Sequence, residues 1–129
     1  MTFHFDCIFY YVSDMEKAIY FYRDVLGFKL ISRDVVARFN LDGVLFELVP
    51  SSTKGKAAHC GNARLCLRVD NLEAAIQELK SKAVITTRAL HRGGGMLSSF
   101  TDPDGNEICL WQYGSENLAA GEEHAMFAK

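Results

Sequence analysis

The stretch FTDPDGNEICLWQ, residues 100–112, combines a tight turn with the strand that follows it. Proline favours φ near about −65° and glycine tolerates positive φ, so Asp102–Gly105 is a predicted chain reversal. Beyond the turn, side chains alternate between the two faces of a strand. This alternation places Cys109 on one face with Glu107 and Trp111, either as a small buried thiol or as part of a site.

Length and composition indicate a single globular domain. The chain has 129 residues, of which 49% are hydrophobic and 23% charged, and its net charge is −2. One core suits this length, and the charge balance offers no basic surface for nucleic acid. The apolar run Cys7–Val12 is too short for a signal peptide or a membrane span. Four cysteines without a secretory signal predict reduced thiols, so we expect a cytoplasmic protein.

Two segments of the chain repeat one another. VSDMEKAI at 12–19 aligns with VDNLEAAI at 69–76, and the Asp-Gly pair at 42–43 aligns with that at 104–105. Such a repeat indicates two copies of one structural unit. Within a single domain spanning 1–129, we expect repeat one at about 3–50, a linker at 51–62, repeat two at about 63–113 and a tail at 114–129.

Each repeat has the pattern of one strand, one helix and three further strands. Ser13 and Glu16 form a predicted capping box for the first helix, which ends at Gly27, and Asn71 is the predicted N-cap of the second. A loop is expected at the glycine-rich residues 92–96. Alternating patterns predict strands at about 5–12, 28–34, 36–40, 44–49, 63–69, 84–88, 96–100 and 107–113.

The sequence resembles the vicinal oxygen chelate superfamily, which holds glyoxalases, bleomycin-resistance proteins and extradiol dioxygenases. The resemblance is carried by the βαβββ repeat, by SDMEKAIYFYRDVLGFKL at 13–30 and by FTDPDGNEICLW at 100–111. It implies an α+β fold in which two βαβββ units form half-barrels with mixed sheets and helices on the outer faces. It does not specify a function, because this scaffold supports several chemistries.

Metal-dependent relatives place their ligands, mostly His and Glu, on the first, fourth, fifth and eighth strands. The resemblance puts Cys7, Glu47, Arg64 and Cys109 at those positions. Arg64 has no lone pair to offer and its positive charge repels a metal, so we expect no metal cofactor. If a metal does bind, its ligands would be Cys7, Glu47 and Cys109. We predict instead that Glu47 pairs with Arg64, and that the cysteines are buried thiols.

The strand faces opposite the helices are predicted to line a cavity that contains aromatic and arginine side chains. Such a wall suits a planar, possibly anionic organic ligand. The sequence therefore predicts a metal-free protein that sequesters a small organic molecule, as bleomycin-resistance proteins do. The predicted ligand-binding residues are Cys7, Phe9, Tyr11, Glu47, Arg64, Arg68, Cys109 and Trp111.

Two alternatives remain open, and no catalytic residue is assigned. One is a metal-dependent lyase, isomerase or dioxygenase of the same superfamily with an atypical Cys/Glu metal site. The other is an interaction subunit whose cavity is filled by its own side chains. Because open half-barrels expose strand edges, and relatives commonly pair as two-fold dimers, we expect a homodimer without nucleic-acid or membrane partners.

Overall fold

A computed structural model of the protein describes residues 1–2, 4–51 and 63–114, which form two compact units. Of these residues, the first unit contains those up to 51 together with the turn Asp102–Asn106, although that turn comes late in the sequence. The second unit contains residues 63–101 and 107–114. Most of the predicted linker, 52–62, and the predicted tail from 115 onward lie outside the described residues.

The first unit is a four-stranded mixed sheet with one helical segment. The strand order is β1-β4-β3-β2, with β1 parallel to β4 and the other neighbours antiparallel. This is the predicted βαβββ pattern. Its elements are β1 (Cys7–Val12), α1 (Met15–Ile19), which continues as a π-helical segment (Tyr20–Val25), β2 (Lys29–Arg33), β3 (Ala37–Leu41) and β4 (Val44–Pro50).

The start of α1 differs from the predicted capping box. Asp14 is the N-cap, and its carboxylate accepts a hydrogen bond from the backbone N–H of Lys17 at 3.1 Å. Aspartate accepts a hydrogen bond from a free N–H of the first helical turn as well as serine does. The N-cap is therefore Asp14, one residue after the predicted Ser13. The backbone N–H of Ser13 instead donates to Oδ1 of Asp104 at 3.0 Å. The helical segment ends before Gly27, as predicted, where φ is 79°.

An aromatic cluster forms the core between this helical segment and the sheet. The ring of Tyr22 lies 5.1 Å from that of Phe46 and 5.6 Å from that of Phe28, measured between centroids. Phe39 and Phe46 are register partners on β3 and β4, so both point to the helix side. The neighbouring positions on these strands, Arg38 and Glu47, therefore point to the open side of the sheet.

The second unit repeats the first. Its elements are β5 (Leu65–Arg68), α2 (Leu72–Ser81), β6 (Leu90–Arg92), β7 (Gly95–Thr101) and β8 (Glu107–Tyr113), and its strand order is β5-β8-β7-β6. Asn71 caps α2 as predicted, accepting a hydrogen bond from the N–H of Ala74 at 2.9 Å. The buried apolar core consists of Leu65, Leu72, Leu79, Phe100, Ile108 and Leu110.

The second strand of this unit lies later than predicted, at 90–92 instead of 84–88. Residues near Thr87 do run beside β7, but side chains make most of the contacts. Ser98 Oγ donates to the carbonyl of Thr87 at 2.7 Å, and the N–H of Ser99 donates to Thr87 Oγ1 at 2.9 Å. Between backbones, the N–H of Thr87 donates to the carbonyl of Ser99 at 2.8 Å. A single such bond does not make a strand ladder.

The glycine-rich residues expected to form a loop make a tight hairpin turn. Arg92 and Gly95 are register partners of β6 and β7, which leaves two residues between the strands. These are Gly93 and Gly94, with φ of 50° and 87°. Positive φ at both central residues matches the twist of an antiparallel pair, and glycine adopts it without strain.

The described part of the chain contains no helix with the length and apolar character required to cross a membrane.

Candidate functional site

The turn Asp102–Asn106 is a buried polar part of the first unit. Oδ2 of Asp102 accepts hydrogen bonds from the hydroxyl of Tyr22 at 2.8 Å and from Nδ2 of Asn106 at 2.9 Å. Its Oδ1 accepts from the backbone N–H groups of Asp104 and Asn106 at 2.9 and 2.8 Å. Nδ2 of Asn106 also donates to the carbonyl of Tyr11 at 3.2 Å. These contacts give the motif a structural role, because they join the turn to the helical segment and to β1 within one unit.

Three predicted site residues lie on the open face of the first sheet. Cys7, Phe9 and Tyr11 alternate along β1, and Phe9 is the register partner of Glu47 on β4. The rings of Phe9 and Tyr11 meet edge to face with centroids 5.4 Å apart. Their side chains are 46% and 48% exposed, which is unusual for large aromatic residues on a strand.

Glu47, which was predicted to pair with Arg64 of the second unit, has two partners within the first unit. Oε2 of Glu47 accepts a hydrogen bond from Nε of Arg38 at 3.0 Å, and its Oε1 accepts one from the thiol of Cys7 at 3.2 Å. Arg38 also donates to Asp34 at 3.1 Å. The half-buried carboxylate of Glu47 is thus paired with Arg38 on the neighbouring strand of the same sheet.

This contact changes the acidity of Cys7. The pKa of the Cys7 thiol is raised to about 11. The hydrogen bond to Glu47 makes the largest contribution to this increase, and burial of the thiol makes the second largest. The thiol is therefore protonated at neutral pH and is a hydrogen-bond donor rather than a nucleophile.

The other predicted residues lie on the open face of the second sheet or beside it. Cys66 and Arg68 on β5 are register partners of Cys109 and Trp111 on β8. Cys66 is exposed, so the expectation of a buried thiol is wrong for this residue, whereas Cys109 is half-buried. The described part of the second unit leaves this side of β5 uncovered.

The two arginines of this face differ in their partners. Nε of Arg64 lies 2.9 Å from Oε2 of Glu107, within the same unit. Arg68 is exposed and has no ion-pair partner among the residues that the structure describes. Among the described residues, no carboxylate therefore neutralises the positive charge of Arg68, which is the register partner of Trp111.

Gly95 and Tyr113, which adjoin Trp111, were not among the predicted ligand-binding residues. The rings of Trp111 and Tyr113 meet edge to face with centroids 5.6 Å apart. A Cβ added at Gly95 would lie 2.5 Å from Cζ2 of Trp111 and 2.4 Å from the carbonyl oxygen of Gln112. Glycine at this position gives the indole ring the space that it occupies.

Arg38 was also missed, although the sequence contains the signal for it. The two residues Asp42 and Gly43 form the turn between β3 and β4. Counting back from such a turn places residue 38 opposite residue 47 on the same face.

The donor groups at the four resemblance-derived positions do not fit a divalent-metal centre. Glu47 accepts from a cation and from a protonated thiol, and Arg64 is itself a cation. Burial raises the pKa of the Cys109 thiol, which disfavours the thiolate that a metal needs. Within residues 1–2, 4–51 and 63–114, no three His, Cys, Asp or Glu side chains group so as to hold a metal ion.

Solved structures of similar fold include proteins with different described roles. One is TnmS3, an antibiotic-binding protein from Streptomyces sp. CB03234, at 27% identity and a TM-score of 0.66, covering 88% of this chain and 100% of that one. Another is an integron cassette protein from the mobile metagenome of V. cholerae, at 25% identity and a TM-score of 0.65, covering 88% and 98%. A lactoylglutathione lyase from Agrobacterium tumefaciens is 18% identical with a TM-score of 0.69, covering 84% and 92%.

Comparison with curated proteins gave no significant match. A family model, described as Glyoxalase/Bleomycin resistance protein/Dioxygenase superfamily, matches residues 4–110. This range includes all elements of the first βαβββ repeat and those of the second as far as Leu110 in β8. The α+β fold expected from the resemblance is confirmed by the structures of similar fold. The chain belongs to the glyoxalase/bleomycin resistance protein/dioxygenase superfamily.

Proposed function

We propose that this protein binds a planar organic molecule on the open sheet faces, without a metal, and thereby sequesters it. The observation that carries the proposal is the set of large aromatic side chains on these faces. Phe9 and Tyr11 are nearly half exposed on the first sheet, and Trp111 stands on the second. Exposing large apolar side chains to water is unfavourable, and clusters of them on a protein surface commonly mark a binding site.

The nature of the ligand follows from the chemistry of these faces. Aromatic rings attract another planar ring by offset or edge-to-face contact, worth about 0.5–1.5 kcal/mol per pair beyond the buried area. Arg68 supplies a positive charge beside Trp111, and an arginine fork matches a carboxylate or phosphate. Arg64 is less suited to this role because Glu107 already accepts from it. The preferred ligand is therefore an aromatic compound that bears one anionic group.

A relative supports binding rather than catalysis. TnmS3, which is 27% identical over its whole length, is described as an antibiotic-binding protein. The alternative of a metal-dependent lyase, isomerase or dioxygenase would need Glu47 to leave both Arg38 and Cys7 before it could act as a ligand. We therefore favour sequestration as the function of this chain.

Fluorescence of Trp111, the only tryptophan in the chain, gives a direct test. We expect planar aromatic carboxylates or phosphates to quench its emission saturably, and uncharged analogues of the same shape to bind more weakly. Arg68→Gln should reduce this preference for anionic ligands. The matched control is Lys80→Gln, which removes one positive charge from an exposed position on α2.

Calorimetry extends the test to variants of the aromatic residues. Tyr11→Ala should weaken binding, whereas Tyr20→Ala, which removes an exposed ring from the helical segment, should not. Added divalent metal should leave the affinity unchanged. A broad screen of planar compounds that alters neither the emission of Trp111 nor the melting temperature would contradict the proposal. Turnover of a ligand that begins only when metal is added would favour the enzymatic alternative.

A further inference from the structure

Arg92 lies on the open face of the second sheet, together with Trp111. Arg92 on β6 is the register partner of Gly95 on β7, and Gly95 is the register partner of Tyr113 on β8. Register partners in neighbouring strands project to the same side of a sheet. Trp111 and Tyr113 are two positions apart on one strand, so Arg92 shares the face of both aromatic residues.

The indole ring of Trp111 extends from its own strand toward Arg92. A Cβ added at Gly95 would lie 2.5 Å from Cζ2 and 2.8 Å from Cη2 of the ring, so these two ring atoms lie against the backbone of β7. Strand β6, which carries Arg92, is the next strand beyond β7. Because Gly95 has no side chain, no side chain at this register position separates the indole from Arg92.

Arg68 lies on the other side of the indole ring. The strand order β5-β8-β7-β6 places Arg68 on one edge strand and Arg92 on the other, with Trp111 on β8 between them. Three strand spacings of about 4.8 Å place the backbones of the edge strands about 14 Å apart. Arginine side chains are long, so the two guanidinium groups can contact opposite ends of a planar molecule shorter than this distance.

The charges of these two arginines are not neutralised by the described part of the second unit. Arg68 and Arg92 are both exposed, and neither has an ion-pair partner among residues 1–2, 4–51 and 63–114. Glu107, the acidic residue that β8 places on this face, accepts from Arg64. The face therefore has a positive charge on each side of its indole ring, and each guanidinium matches a carboxylate or phosphate.

We propose that Arg92 is a specificity-determining residue, which selects planar ligands that carry anionic groups at two opposite ends. Arg68 binds one anionic group, the indole of Trp111 contacts the ring, and Arg92 binds the second anionic group. This inference rests on the proposed function and adds a second anionic group to its ligand. A ligand with a single anionic group leaves one of the two guanidinium groups without a partner.

The test compares three naphthalene probes by isothermal titration calorimetry at about 0.01 M ionic strength, where the Debye length is about 30 Å. Naphthalene-2-carboxylate carries one anionic group. Naphthalene-2,6-dicarboxylate carries two at opposite ends, and naphthalene-2,3-dicarboxylate carries two side by side. We expect the 2,6 isomer to bind about 5-fold more tightly than either other probe, which is the upper value for an exposed ion pair.

Variants of Arg92 test its role in this preference. Arg92→Gln should reduce the affinity for the 2,6 isomer to about that for naphthalene-2-carboxylate. Arg92→Lys should keep part of the preference, because it retains the charge but not the planar fork. The matched control is Arg88→Gln, which removes an exposed arginine that lies before β6, and it should keep the whole preference.

The outcomes separate this inference from the proposed function. Equal affinities for the two dicarboxylate isomers would overturn the role of Arg92, and so would an unchanged preference in Arg92→Gln. In both cases, binding of naphthalene-2-carboxylate would still support the proposed function. Failure of all three probes to bind would contradict the inference and the proposed function together. The melting temperature of each variant shows that a change in affinity does not result from unfolding.

Discussion

Glu47 shows how one side chain can set the chemistry of another. Its Oε1 accepts a hydrogen bond from Cys7, which stabilises the neutral thiol and raises the pKa of Cys7 to about 11. We expect Glu47→Gln to lower this pKa toward the ordinary value of 9.0, because the negative acceptor is lost. The measurement is the pH dependence of alkylation in a protein that retains Cys7 as its one cysteine.

A matched control for this prediction is Glu107→Gln. It removes a carboxylate from the other sheet, and the alkylation profile of Cys7 should stay as it was. An unchanged profile in Glu47→Gln would mean that burial, the second cause, controls the pKa of Cys7.

Gly95 controls the position of Trp111. We expect Gly95→Ala to displace the indole ring, since the new Cβ would lie 2.5 Å from its Cζ2. Overpacking of this kind costs about 1–3 kcal/mol, so the midpoint of urea unfolding should fall. The tryptophan emission spectrum and the affinity for planar ligands should change together. Identical spectra and unfolding midpoints would show that the sheet accommodates the methyl group freely.

Single residues also show the limits of prediction from sequence. Alternation along the strands placed Cys7 with Phe9 and Cys109 with Trp111, because side-chain direction depends only on the local backbone. Arg38 was not identified as a partner of Glu47, because this requires counting the register of β3 against β4 back from the turn at 42–43. The exposure of Cys66 was missed because burial depends on what covers the sheet, which no local pattern reports.

At the level of elements, the hydroxyl of Tyr22 connects the helical segment to the turn at Asp102. Burial, with the carboxylate of Asp102 as the next cause, raises the pKa of Tyr22 far above its ordinary value of 10.0. Above about pH 10 the unfolded chain loses the proton of this tyrosine while the folded chain keeps it. Stability should therefore fall with rising pH, by up to about 1.4 kcal/mol per pH unit from this group.

Urea unfolding at pH 9 and pH 11 tests this expectation. Other groups also titrate in this range, so the comparison is with Tyr22→Phe, which keeps the ring and removes the titrating group. The variant should lose about 1.5–3 kcal/mol at neutral pH, the usual value of a hydrogen bond to a charged group. It should then show a smaller decrease in stability between the two pH values. Equal decreases in both proteins would exclude Tyr22 as the source.

Elements with strong local signals were predictable, and the weak edge strand was not. The Asp-Gly turn at 42–43 and the cap at Asn71 both lie where the sequence predicts. Strand β6 has three residues and lies at the edge of its sheet, paired with β7 alone. Apolar residues at 84–88 suggested a strand more strongly, but tertiary contacts through Thr87 decided the outcome.

For the whole molecule, the strand edges support the expected homodimer. The first sheet ends in β1 and β2 and the second in β5 and β6. Exposed edges are normally covered, and β1 also exposes Ile8, Phe9 and Tyr11. We expect sedimentation equilibrium at micromolar concentration to give about twice the chain mass of 14.4 kDa. A mass of one chain under these conditions would refute the dimer.

The placement of the turn Asp102–Asn106 has a consequence for synthesis of the protein. Tyr11, Ser13 and Tyr22 leave the ribosome early, but their partners in the turn are 80 to 95 residues further along the chain. All strands of the first sheet lie before Ser51, but three polar groups of this unit have partners in the turn that ends at Asn106. These groups are the carbonyl of Tyr11, the N–H of Ser13 and the hydroxyl of Tyr22. A nascent chain that ends between Pro50 and Asn106 therefore contains all strands of the first sheet but lacks the turn that completes the first unit. For the same reason, the first repeat expressed alone would lack part of its own folded unit.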